Sequence, residues 1–289
     1  MSFQTHEQNG LVWLTSSLLE GLPHGFSTRR GGVSPAPWDS LNLRPGCGDA
    51  PENVAENYRR FCGAAGTEAE RAVLAKQVHE TTVRPCTAAD AGKGLLRERD
   101  YTADALITNE ANLPLLVFSA DCGITLLYDP VHEAVGGVHA GWYLSLRDHF
   151  SGELYEKLCR TFDGPTAAQA VAKMHRLYGS EPSQILAALG PCIGPCCFET
   201  DDDVPDAMRS ALGADAEPYL ERRGPKWHVD LAGLNRQWLL RSGLVPEHID
   251  VCGLCTACRP DLFWSHRKMG EARGVQAALI ALPKQGGAL

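Results

Sequence analysis

Two apolar stretches constrain this chain more than anything else in it. The first is "PLLVFSADCGITLLYD", Pro114 to Asp129, and the second is "EAVGGVHAGW", Glu133 to Trp142. They read as neighbouring strands joined by the turn-like Asp129–Pro130 pair. Each carries a polar interruption. Asp121 and Cys122 break the first, and His139 sits near the end of the second, beside Gly141, where backbone can approach a bound group closely.

The remaining chain alternates strand-like and helix-like patterns without a low-complexity linker. Leu11 to Leu14, "DALITN", "EPSQILAALG", "IDVCGLC" and "VQAALIAL" read as strands, and "AVLAKQVHETTVRPC" as one or two strands with His79 inside. Helical patterns cover Ala50 to Cys62, Leu146 to Leu177 with a break at Gly164–Pro165, and "VPDAMRSALG", which Gly213 ends. "KWHVDLAGLNRQWLLRSGL" begins as a strand and continues as a helix that Gly243 ends. The pattern fits one α/β or α+β domain spanning residues 1–289 with mixed sheets.

Composition excludes several roles. The formal net charge of -8 argues against broad nucleic-acid binding, which needs Lys and Arg to neutralise phosphates. No window approaches the roughly 18 apolar residues of a membrane span. The opening "MSFQTHEQNGLVWLTSSLLEG" lacks a basic n-region, so neither a signal nor a transit peptide is expected, and the expected compartment is the cytoplasm. Eleven cysteines there would be mostly reduced thiols, and an odd number cannot pair completely.

His79, Cys122 and His139 are the candidates for chemistry. Two imidazoles and a thiolate suit zinc, and three protein ligands leave one position for water or substrate. The same residues also fit two hydrogen-bonded core histidines and a small buried cysteine, and their long spacing does not choose. Cys122 and His139 alone would make a thiolate–imidazolium nucleophile, with Asp121 as orienting carboxylate. A second set comprises Cys192, Cys196 and Cys197 of "CIGPCC" and Cys252, Cys255 and Cys258 of "CGLCTAC". These could be ligands of a four-thiolate site or plain buried and loop thiols. "STRRGG" offers N–H donors and Arg29 to an anion.

In order, "HGFSTRRGGVS", "LNL", "ENYRR", "QVH", "DALIT", "ADCGITLLYD", "VGGVHAGW", "LGPCIGPCCFE", "VDL…N", "CT" and "FWSHR…ARG" resemble the YfiH family, also called the laccase-domain or multicopper polyphenol oxidase family. The resemblance implies a four-layer α-β-β-α sandwich like that of certain toxin deamidase domains. It implies a metal, usually zinc and in some readings copper, on the residues matching the family's ligands: His79, Cys122 and His139. It also implies a zinc-dependent purine nucleoside phosphorylase acting on adenosine, inosine, guanosine or methylthioadenosine, with adenosine deaminase activity. Asp121 would handle protons. Arg29, Asn42, Asn57, Arg60 and Arg267 would contact the nucleoside and phosphate.

The alternatives are a cysteine hydrolase or amidase using Cys122 and His139, a copper-dependent polyphenol oxidase, and a peptidoglycan editing factor. Copper oxidation ranks below both the zinc phosphorylase and the cysteine hydrolase, since several coppers require about ten histidine ligands and the chain has 10 His in all. The chain departs from the family pattern at three points. Tyr143–Leu144 follow Trp142 where the family has Arg-Gly, with Arg147 as a possible substitute one helical turn on. Glu80 stands where a glycine commonly follows the histidine, and "SHRK" replaces Ser-Tyr-Arg.

Overall fold

The computed structural model describes residues 3–140 and 166–284. The first long apolar stretch divides between two sheets, and the second joins one of them. One six-stranded sheet runs β1 (Phe3–Gln8), β2 (Leu11–Ser16), β3 (His24–Ser27), β15 (Gln276–Ile280), β7 (Leu115–Ser119) and β4 (Val73–Leu74). The other runs β14 (Ile249–Val251), β10 (Leu186–Leu189), β8 (Gly123–Asp129), β9 (Ala134–Ala140), β6 (Ala105–Thr108) and β5 (Val83–Pro85). Both sheets mix parallel and antiparallel pairs.

Period-2 alternation decides which side chain enters which layer. Leu115 and Val117 of β7 face inward and meet Ile124, Leu126 and Val135 of the opposing sheet in the central core. Leu116 faces the other way, onto Val54, Tyr58, Phe61 and Cys62 of helix α1 (Pro51–Ala64). Those four residues fall at i, i+4, i+7 and i+8, one face of a helix, and Pro51 occupies its first turn where no N–H is needed. The outer face of the second sheet, with Ile107, Leu127 and Val138, is covered by Ala167, Ala170, Val171 and Met174 of α2 (Thr166–Tyr178). The layers are therefore helix, sheet, sheet, helix, the α+β sandwich expected.

A three-stranded sheet, β11 (Glu199–Thr200), β13 (Lys226–Val229) and β12 (Leu220–Arg223), packs with α3 (Asp203–Leu212) and α4 (Leu231–Arg241) around a smaller core. A final short helix, α5 (His266–Met269), is capped by Ser265, whose Oγ accepts from the Lys268 N–H. No helix among the described residues is long and apolar enough to cross a membrane.

Three expectations need correction. The first strand is Phe3–Gln8, not the segment beginning at Leu11. It is a polar edge strand, paired to β2 through Asn9 and Gly10, both at positive φ, as tight hairpin turns require. Its polarity hides it from a hydrophobicity pattern. His79 lies in no strand: it sits in the connection between β4 and β5, at φ 60. The apolar run 114–129 is two strands in different sheets, and Ala120–Asp121–Cys122 is the crossover between them. Gly141, Trp142, Tyr143, Leu144, Arg147, Gly164 and Pro165 lie outside the described residues, as does the first part of the helical pattern from Leu146.

Candidate metal centre

The crossover sets the position of Cys122. It places the thiol where the two sheets part, one residue before β8 begins. β8 and β9 are antiparallel, with Gly123 opposite Ala140 and Ile124 opposite His139, so the register carries His139 to the start of β8. β6 pairs β9 on the far side with Ala105 opposite Val138, and this brings Asp104 to His139. His79 arrives from the loop above β5. The ligand atoms of His79, Cys122 and His139 lie within 4.8 Å of one another, and the two imidazole rings meet edge to face with centroids 5.0 Å apart.

Asp104 organises this cluster. It is completely buried, and one carboxylate oxygen accepts from His139 Nδ1 at 2.9 Å. The same carboxylate accepts the backbone N–H groups of Val78, His79 and Glu80 at 3.2, 3.0 and 3.0 Å. Burial alone would raise its pKa, but the His139 hydrogen bond and charge, joined by those amides, hold it below the usual carboxylate range. An ionised carboxylate is acceptor-only, so Nδ1 of His139 carries the hydrogen. Nε2 then keeps its lone pair for whatever occupies the cluster, the arrangement seen where a carboxylate orients a metal-binding histidine.

Charge within the trio is self-consistent. Desolvation would push the Cys122 thiol up, yet His139 and His79 hold it down at about 6. Burial would push the His139 imidazole down, yet Asp104 and Cys122 raise it to about 9. In metal-free protein the trio is thus a thiolate beside a protonated imidazole. A divalent cation would replace that proton and satisfy the same donors, two nitrogens and a soft sulfur. The donor set fits a metal ion.

Two of the five non-glycine residues at positive φ among the described residues belong here, His79 at 60 and Asp121 at 96. Non-glycine residues in that region cost energy and persist where surrounding contacts hold them. At Asp121 those contacts are explicit. Its carboxylate accepts from Thr256 Oγ1 at 2.6 Å, Ser265 Oγ at 3.0 Å and the Arg267 backbone N–H at 2.7 Å. Its carbonyl accepts from the Ile193 N–H at 2.8 Å.

The other predicted residues sit as follows. The Arg267 guanidinium donates to the carbonyls of Cys197 and Glu199 at 3.2 and 3.0 Å, beside the Asp121 corner. Arg29 donates to the carbonyls of Asp39 and Pro260 and lies 4.2 Å from the Trp264 ring centroid. Arg60 pairs with Glu56 and donates to the Gly31 carbonyl. Asn42 and Asn57 are both 0% exposed. Asn42 donates to Asp49, and Asn57 bridges Ser34, the Val33 N–H and the Asn42 carbonyl. These four hold together the loop and helix between residues 29 and 60.

Sequence reasoning passed over Asp104 and Arg273, although both stand inside quoted motifs, "DALIT" and "ARG". Arg273 is a half-buried guanidinium close enough to Asp121 and Cys122 to feel their charge. Burial pushes its pKa down, and neighbouring Arg44 pushes the same way.

Comparison with known proteins agrees with this geometry. Residues 23–283 match the family described as multi-copper polyphenol oxidoreductase laccase. The chain belongs to this YfiH, or laccase-domain, family. Within it, the chain is 35% identical over 264 residues to the purine nucleoside phosphorylase YlmD of Bacillus subtilis, covering 89% of this chain and 87% of that protein. It is 34% identical over 263 residues to the purine nucleoside phosphorylase YfiH of Escherichia coli, covering 91% and 95%. The crystal structure of YlmD from Geobacillus stearothermophilus superposes with a TM-score of 0.83 at 31% identity, over 98% of this chain and 99% of that one. Family membership and fold agree.

Proposed function

We propose that this laccase-domain chain is a zinc-dependent purine nucleoside phosphorylase that also deaminates adenosine. The observation that carries the reading is the meeting of His79, Cys122 and His139 within 4.8 Å, in a chain whose similar relatives are named purine nucleoside phosphorylases. His79, Cys122 and His139 would hold the ion, and Asp104 keeps the His139 ring in the binding tautomer. When bound, zinc supplies Lewis acidity and a means of activating water at neutral pH.

Phosphorolysis needs a phosphate oxygen to attack C1′ of the ribose while the bond to the purine nitrogen breaks. The base leaves with the bonding pair and gains a proton, and positive charge builds on the sugar. Arg273 is the side chain we assign to the anion, because it brings a guanidinium into the electrostatic reach of Cys122 and Asp121. Asp121 serves by fixing the crossover: with three donors on its carboxylate it holds Cys122 in place and adds negative charge near the sugar. Arg267 positions Asp121 through its backbone N–H. Asn42 and Asn57, with no exposed atoms, we assign to building the 29–60 corner instead of phosphate contact, and Arg29 and Arg60 to the rim of that corner.

A second reading has one observation in its favour. The thiolate–imidazolium character of Cys122 and His139 without metal is also that of a cysteine hydrolase acting on an amide. Against copper oxidation stands the donor count. The described residues form two ligand clusters, and one consists of thiols alone.

One incubation separates these. Purified protein is given adenosine or inosine, with and without phosphate. Ribose 1-phosphate that forms only with phosphate is the expected product, together with inosine from adenosine in phosphate-free buffer. Absence of both from a metal-loaded preparation would end the proposal. Full amidase activity without metal would establish the cysteine reading.

A further inference from the structure

A second set of convergent ligands lies outside the site just described. β10 and β14 are parallel neighbours, with Ala187 opposite Ile249 and Leu189 opposite Val251. Their loops therefore leave the same end of the sheet side by side, and the Cys192–Cys255 bridge continues the pairing into them. The first loop carries Cys196 and Cys197, the second Cys255 and Cys258. All four Sγ atoms fall within 4.8 Å of one another, with Cys258 3.4 Å from both Cys196 and Cys197.

These distances match a single ion. With metal–sulfur bonds of about 2.3 Å, tetrahedral geometry separates the sulfurs by about 3.8 Å. Iron–sulfur clusters distribute their thiolates over several irons and need a wider set. Gly194 N–H donates to Cys255 Sγ at 3.2 Å, the kind of backbone N–H to sulfur bond that steadies a metal-bound thiolate. A side chain at Gly194 would crowd Cys255 Cβ at 3.3 Å and meet Cys196 Sγ in ordinary contact at 3.5 Å, so the loops pack closely here. Cys192 and Cys252, from the same two motifs, stand outside the group.

We propose that Cys196, Cys197, Cys255 and Cys258 bind one zinc ion as a closed four-thiolate site that clamps the 192–198 loop to the 252–258 loop. With all four positions filled by protein, such a site has no place for substrate and acts through structure. What it holds in place is the Asp121 corner. Ile193 donates to the Asp121 carbonyl, Thr256 to its carboxylate, and Arg267, which donates to Asp121, is tethered to the Cys197 and Glu199 carbonyls. The four cysteines are thus positioning residues for the crossover that carries Cys122.

Zinc analysis on protein purified under reducing conditions tests this. In His79→Ala, which damages the other cluster, about one zinc per chain is expected to remain. Cys196→Ser with Cys258→Ser should lose one equivalent from the otherwise wild-type chain, and Cys252→Ser should lose none. Cobalt supplied to His79→Ala should give intense thiolate-to-cobalt absorption that Cys258→Ser abolishes. If the double variant does not fold, the zinc count and cobalt spectrum of His79→Ala still decide. His79→Ala without zinc, its four thiols reacting freely with a disulfide reagent or paired as disulfides, would overturn the proposal.

Discussion

The two ligand clusters among the described residues differ in almost every respect. The His79–Cys122–His139 site mixes nitrogen and sulfur, and its His139 is only 2% exposed. It is assembled from a loop, a crossover and a strand end, and a completely buried carboxylate orients it. The four-thiol site uses one ligand type, lies on two adjacent loops and places Cys196 and Cys258 at the surface. With three protein donors the first would leave a fourth coordination position open, as the proposed chemistry requires. The second closes its ion off and ties two loops together. Substitutions in the two sites should therefore separate rate from stability.

The largest effect is expected at the open site. Cys122→Ala should remove its metal and lower phosphorolysis by about 10³-fold, equivalent to about 4 kcal/mol of transition-state stabilisation. Melting temperature should change little by comparison. Equal losses of rate and stability would erase the distinction between the clusters. Next comes Asp104→Asn, which swaps an acceptor-only carboxylate for an amide at His139 Nδ1. Zinc affinity measured by chelator competition should fall roughly 10- to 100-fold, with activity restored by excess zinc. Unchanged affinity would mean that the 2.9 Å contact orients nothing of consequence.

The pH dependence of the stripped site is smaller but sharper. The Cys122 thiol is lowered to about 6, so in metal-free protein it is thiolate above that pH and thiol below it. Peptide-resolved alkylation at Cys122 should accordingly rise about tenfold between pH 5 and pH 7 and then level off. An ordinary cysteine would keep accelerating toward pH 9. The smallest effect on rate belongs to Cys196→Ser with Cys258→Ser: a few-fold loss of activity. Stability should fall much further, by about 4 kcal/mol when free zinc stands near a thousand times its dissociation constant. Thermal melting with and without added zinc measures this.

Much of this architecture was legible in the sequence. The helix faces of α1 and α3 follow from 3.6-residue spacing, and the polar interruptions at Cys122 and His139 stand out as candidates against an apolar background. The hidden parts share a physical cause. A hydrophobicity pattern shows which residues are buried and says little about which strands are neighbours. The run from Pro114 to Asp129 looks like one strand because both halves are buried, although they belong to different sheets. Asp104 looks like an ordinary strand-end acid until β6 is placed beside β9. The thiols of "CIGPCC" and "CGLCTAC" become one group only because β10 and β14 are parallel neighbours. Arg29 was visible in a Gly-rich loop, Asn42 in "LNL" and Asn57 in the helix that carries "ENYRR". Residue type alone does not distinguish a side chain that grips a ligand from one that grips its own loop.

The central claim is that the His79–Cys122–His139 trio binds a metal and that this metal is needed for phosphate-dependent cleavage of purine nucleosides. Zinc content and ribose 1-phosphate production should be followed together while a chelator strips the wild-type protein and zinc is then restored. The account predicts that product formation falls in step with the ion held by His79, Cys122 and His139 and returns with it. Steady release of ribose 1-phosphate from protein whose trio holds no metal would contradict it.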